Sequence, residues 1–86
     1  MHELSLALEV CRIAEQHADP RPASAVRRIG VEMGGDGTVE VENFRFCLEA
    51  LLGSPPFAGA RLDLHLTGGD DLRVTYLEVD DGRPDD

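Results

Sequence analysis

From Ala60 to Val79 the chain reads ARLDLHLTGGDDLRVTYLEV. Leu62, Leu64 and Leu66 alternate with Arg61, Asp63 and His65, the period of two expected when one face of a strand is buried and the other is wet. The residues from Leu72 to Val79 make a second strand of apolar and β-branched residues. Gly68-Gly69-Asp70 between them predicts a tight turn of the hairpin type, so the two strands must run antiparallel. On this pattern His65 belongs to the solvent face and is not a ligand.

Upstream, Phe44, Cys47, Leu48, Leu51 and Leu52 fall at i, i+3, i+4, i+7 and i+8. That spacing predicts an amphipathic helix from about Glu40 to Leu52, stopped by Gly53 and Pro55-Pro56. Ala25 to Met33 reads as a strand, with Ile29, Val31 and Met33 inward and Arg28, Gly30 and Glu32 outward. Gly34-Gly35-Asp36-Gly37 closes it as a flexible turn; no GK[ST] follows, so it is not a phosphate loop. Leu4 to Ala18 is a helix with Leu6, Ala7, Val10, Cys11, Ile13 and Ala14 on one stripe. Proline at positions 20 and 22 ends it.

The order is α-β-α-β-β. A helix between the first two strands permits a parallel crossover, and the glycine turn sets the third strand antiparallel. The expected fold is α+β: a two-layer sandwich with both helices on one face of a three-stranded mixed sheet. Strand order stays open. Residues 1–80 form a single domain and residues 81–86 an acidic, disordered tail. The other face of the sheet, with Arg28, Glu32, Arg61, Asp63 and His65, is wet or a docking surface.

Hydrophobic residues make up 42% of the 86 positions and aromatics only 5%. The core is therefore built of Leu, Val, Ile and Ala, with the three phenylalanines and Tyr76 as its largest pieces. Seventeen acids against 8 bases leave a net charge of -9, which argues against nucleic acid or an anionic membrane. No apolar run reaches the ~20 residues a membrane span needs. No secretory signal opens the chain, so a cytoplasmic location is expected. Cys11 and Cys47 are not a CxxC pair; both fall in apolar stripes and read as reduced, inert thiols.

Met1-His2-Glu3 carries the chemistry. The Met1 amine, the deprotonated His2 amide and the His2 imidazole close a five- and a six-membered ring on one metal ion. Such an array of nitrogens suits Ni(II) or Cu(II). Glu3 offers a further donor through its amide or its carboxylate. No nucleophile–base pair is apparent, so the chain does not read as an enzyme.

The opening MHELSLA (residues 1–7), with Val31-Glu32-Met33-Gly34, Phe44-Arg45-Phe46-Cys47, Gly59-Ala60-Arg61-Leu62 and Leu77-Glu78-Val79, resembles the HypA/HybF family of hydrogenase nickel-incorporation proteins. The resemblance implies a nickel metallochaperone with Met1, His2 and Glu3 as its metal-binding residues. It implies delivery of Ni(II), with a maturation GTPase of the HypB type, to the large subunit of [NiFe]-hydrogenase, and in some cells to urease components. Two features depart from the family. The zinc module with its two CxxC pairs is missing where Thr67 runs into Gly68, so no structural zinc is expected. Gly35 stands where the family usually has an acid. The chain is either a natural zinc-less paralogue or one from which the module has been removed. The alternative function is a HypA-like docking module that binds hydrogenase or maturation factors without carrying metal.

Overall fold

The structure is a computed structural model that describes residues 2–35, 39–69 and 71–80, with only the backbone of His2. The acidic tail expected at 81–86 lies outside the described residues. So do Met1 and the Asp36-Gly37 part of the first glycine turn.

The elements are α1 (His2–Ala18), a single 3-10 turn (Ala23–Ala25), β1 (Val26–Gly34), α2 (Val41–Leu52), β2 (Arg61–Thr67) and β3 (Leu72–Val79). They form the expected α+β sandwich of two helices on a three-stranded mixed sheet. In α1, Glu3 in the first turn and His17 in the last both complement the helix dipole. The small buried residues Ala7, Cys11, Ala14 and Ala18, with Val10, let the helix lie close on the core. In α2, Phe44, Leu48 and Leu52 are fully buried at i, i+4 and i+8. Glu40 is the cap and not the first helical residue: its carboxylate accepts the Glu42 N–H at 3.3 Å.

The sheet order is β2-β1-β3. β1 pairs parallel with β2, from Arg28↔Arg61 to Gly34↔Thr67. It pairs antiparallel with β3, from Val26↔Val79 to Met33↔Leu72. β2 and β3 are thus antiparallel, as expected, but they are not hairpin partners. Their link crosses the end of β1. Five Cα steps from Thr67 to Leu72 reach up to roughly 17 Å, ample for two strand spacings of about 4.8 Å each. The link is stitched to β1 where it crosses: the Gly34 N–H donates to the Asp71 carbonyl at 2.7 Å and the Gly35 N–H to the Thr67 carbonyl at 3.0 Å. The arrangement gives the most buried strand two hydrogen-bond ladders and leaves the more exposed strands at the edges.

Ile29, Val31 and Met33 face the helices with at most 2% exposure. α1 lies over β3, α2 over β2, and the helices pack on each other above β1. Two expectations about the core fail. Leu66 is 57% exposed, because the helical layer leaves that end of edge strand β2 uncovered. Among the aromatics only Phe44 and Phe57 are buried, while Phe46 is 71% exposed. Tyr76 lies on the opposite face of the sheet. The register explains it: Gly30 pairs with Tyr76 and Val31 with Val74, so Thr75 is an extra, bulged residue. The bulge puts Arg73 and Tyr76 on the wet face and keeps Val74 and Leu77 against the core.

Candidate metal-handling end

The described part of the Met1-His2-Glu3 motif is the backbone of His2 and the whole of Glu3. Helix α1 begins at His2. The first N–H groups of a helix have no carbonyl one turn before them. The amides of His2 and Glu3 are therefore outside the helical ladder. Losing a proton from the His2 nitrogen would break no intrahelical bond.

Glu3 joins the starts of the two helices. Its Oε2 accepts the backbone N–H of Glu40 at 3.1 Å, and its Oε1 accepts Asn43 Nδ2 at 3.2 Å. The Glu40 amide, and then the amide of Glu3 itself, hold the Glu3 carboxyl below the ordinary carboxylate range, with Asn43 contributing further. A carboxylate at the positive end of α2 also meets its dipole favourably. The sequence contains no local signal for this contact, since Glu3 and Glu40 are 37 residues apart. It arises only because α1 and α2 start at the same end of the sandwich.

The remaining metal-binding residue types lie elsewhere. Cys11 is buried in the core, and burial, with Glu15 beside it, pushes its thiol up to about 11. A thiol so far from ionisation at neutral pH is a poor ligand or nucleophile. Cys47 is partly buried and, like Cys11, free. On the wet face, His65 Nε2 sits 3.1 Å from Asp63 Oδ1 and is well exposed, as its alternation predicts. Tyr76 reaches across central strand β1 and donates its hydroxyl to Asp63 Oδ2 at 2.6 Å. That bond holds the Asp63 carboxyl below its usual range and raises the Tyr76 phenol. Among the described residues no three His, Cys, Asp or Glu side chains converge as a metal site. Nor is any described helix long and apolar enough to cross a membrane.

Comparison with known proteins bears on the same residues. The sequence pattern of the family described as hydrogenase/urease nickel incorporation, metallochaperone, hypA matches residues 1–69. The hydrogenase maturation factor HypA of Azotobacter vinelandii is 29% identical over 113 residues, covering 93% of this chain and all of the relative. That alignment runs over 113 positions against 86 residues of chain, so at least 27 positions of the relative face no residue here. HypA of Azoarcus sp. is 39% identical over 69 residues, 80% of this chain and 60% of the relative. The solution structure of the Ni metallochaperone HypA from Helicobacter pylori superposes with a TM-score of 0.74 at 18% identity. It covers 91% of this chain and 97% of that one, and at this identity the likeness establishes the fold. The family pattern takes in the N-terminal motif, both helices and β1 and β2, and on that match this chain belongs to the HypA family of nickel-incorporation metallochaperones.

Proposed function

We propose that this chain binds Ni(II) at its own N-terminus and delivers it during [NiFe]-hydrogenase maturation. Met1 supplies its amine, His2 its amide and imidazole, and Glu3 its backbone amide. The observation that carries this reading is the double tether of the Glu3 carboxylate to Glu40 and Asn43. It anchors the third residue of the motif to the sandwich while α1 leaves the first amides outside its ladder. The Glu3 carboxylate already accepts two hydrogen bonds, which favours a backbone contribution over a side-chain one. A site made of chain-terminal nitrogens is open, so the ion can pass to a partner without the core being rebuilt. The partners on this reading are a HypB-type GTPase and the hydrogenase large subunit, or urease components, in the cytoplasm.

Calorimetric titration of the chain with a free N-terminus should show one Ni(II) bound. His2→Ala should abolish that binding and leave the circular dichroism spectrum unchanged. Unchanged binding in His2→Ala would refute the chelate. Affinity should fall on acidification, because protons compete for all three nitrogens.

A second reading is favoured by the shortfall against the longer relatives. The chain would dock on a hydrogenase or maturation factor without carrying metal. Absence of stoichiometric Ni(II) in the same titration would select it. Neither reading uses structural zinc, since the chain has only two cysteines and four thiolates cannot be assembled from them.

A further inference from the structure

We propose that a cavity at the start of β1 and β2 is a docking site for a short acidic peptide segment of a protein partner. The cavity has a volume of about 450 Å³ and is lined by Arg27, Arg28, Arg61, Ser24, Gly59 and Glu78, among others. Three of the chain's eight bases line one opening in a molecule of net charge -9. A fourth, Arg21, is close by, donating to the Asp80 carbonyl at 2.6 Å. Positive charge is thus concentrated at one end of an otherwise acidic protein.

The carboxylates already present show what this end accepts. Arg27 pairs with Asp80 at 2.5 Å. Arg28 Nε faces Glu78 at 3.5 Å but makes no hydrogen bond, although the atom is buried. Glu78 therefore satisfies the Nε of Arg28 poorly; the guanidinium also lies beside Tyr76 and Asp63, and a carboxylate on its exposed part would add to these contacts. Arg61 makes no ion pair with any described residue, so its guanidinium is available for a bidentate carboxylate contact. Gly59 has φ +87, and nothing lies within 4 Å of where its Cβ would be. A peptide backbone can approach there closely.

The scale of the patch favours a peptide over a nucleic acid. A polyphosphate is held by many spaced cations along its length. Here Glu78 and Asp80 are interleaved among the arginines, which suits two or three carboxylates. The location leaves the N-terminus free: α1 carries the chain back from this end over 17 residues, about 25 Å of helix. This site does not depend on the nickel reading, and its test uses no metal.

The test is NMR titration of the isotopically labelled full chain at near-physiological salt, where the protein's overall negative field is screened beyond about 8 Å. The probe is a six-residue peptide of alternating aspartate and glycine, with its asparagine analogue as control. Saturable shifts should appear at the amides of Ser24, Gly59 and Arg61 and at the arginine Nε–H signals, with the aspartate peptide alone. Arg28→Gln and Arg61→Gln should each weaken binding about tenfold. Arg61→Gln breaks no ion pair among the described residues, so the test survives if Arg28→Gln fails to fold. Equal shifts with the asparagine analogue, or unchanged affinity in Arg61→Gln, would overturn the proposal. So would stronger binding of inorganic phosphate or of a short oligonucleotide at the same signals. Binding seen only after deletion of residues 81–86 would also overturn it, by making the chain's own carboxylates the occupant.

Discussion

Gly30→Ala should destabilise this protein out of proportion to the one methyl group added. Gly30 sits in central strand β1 beneath the ring of Tyr76. A Cβ there would lie 2.1 Å from Tyr76 Cε1, 2.2 Å from Cδ1 and 2.8 Å from Thr75 Oγ1, where ordinary contact begins at 3.4 Å. The ring would have to withdraw by about 1.3 Å to reach that distance. Its hydroxyl is held to Asp63 at 2.6 Å on the far edge strand, so withdrawal breaks that bond or shifts β3. Overpacking of this kind costs roughly 1–3 kcal/mol. In a domain of this size each kcal/mol lowers the melting midpoint by about 4–8 °C. Urea and thermal unfolding followed by circular dichroism would read the loss. The decisive arm is the same substitution in a Tyr76→Ala background. Gly30 is not among the glycines of positive φ, so alanine suits its backbone. Without the ring, only Thr75 Oγ1 at 2.8 Å stays in the way, so the cost should fall well below that in the native background, with the lower entropy of the unfolded chain offsetting part of it. An equal cost in both backgrounds, or no cost in the native one, would refute the close approach of ring and strand.

Tyr76 is the one tyrosine in a chain without tryptophan, so its phenolate absorbance can be titrated directly. The midpoint should lie above 10 and fall back towards it in Asp63→Asn; identical titrations would exclude the bond. The sign for stability follows. The raised Tyr76 stabilises below pH 10 and loses that contribution as pH climbs through its folded value. The lowered Asp63 stabilises above its ordinary 3.8 and loses its part as pH falls through its folded value. Stability profiles of native protein and Asp63→Asn should therefore diverge between those limits and converge outside them. Leu48→Ala empties a fully buried position of α2 and should cost about 2–5 kcal/mol in urea unfolding; a loss below 1 kcal/mol would contradict the packing. An uncleaved extension ahead of Met1 should weaken Ni(II) binding by removing the amine donor, and an unaffected calorimetric affinity would place the metal elsewhere.

Periodicity and punctuation made the secondary structure legible. The i, i+4, i+8 apolar residues of α2 and the alternation of Ile29, Val31 and Met33 are local signals, because each records which face of one element avoids water. They determined the number, type and order of the elements and the two-layer arrangement. The N-terminal triplet could be proposed as a chelate from sequence alone, since consecutive residues need only adjacency, and the nickel titration is its test.

Tertiary structure alone decided what depends on residues far apart. Gly68-Gly69 specifies a change of direction, but its length permits either a hairpin or a step over β1. The step places the most buried strand between two ladders. The bulge at Thr75 could not be read from β3, because it is a property of register against β1. It sends Tyr76 over Gly30 to Asp63 and takes the ring out of the expected core. The Glu3 tether and the arginine end have the same origin. Each joins residues of different elements: the packing of α1 on α2 brings Glu3 to Glu40, and the sheet order β2-β1-β3 brings Arg61 and Glu78 beside Arg27 and Arg28.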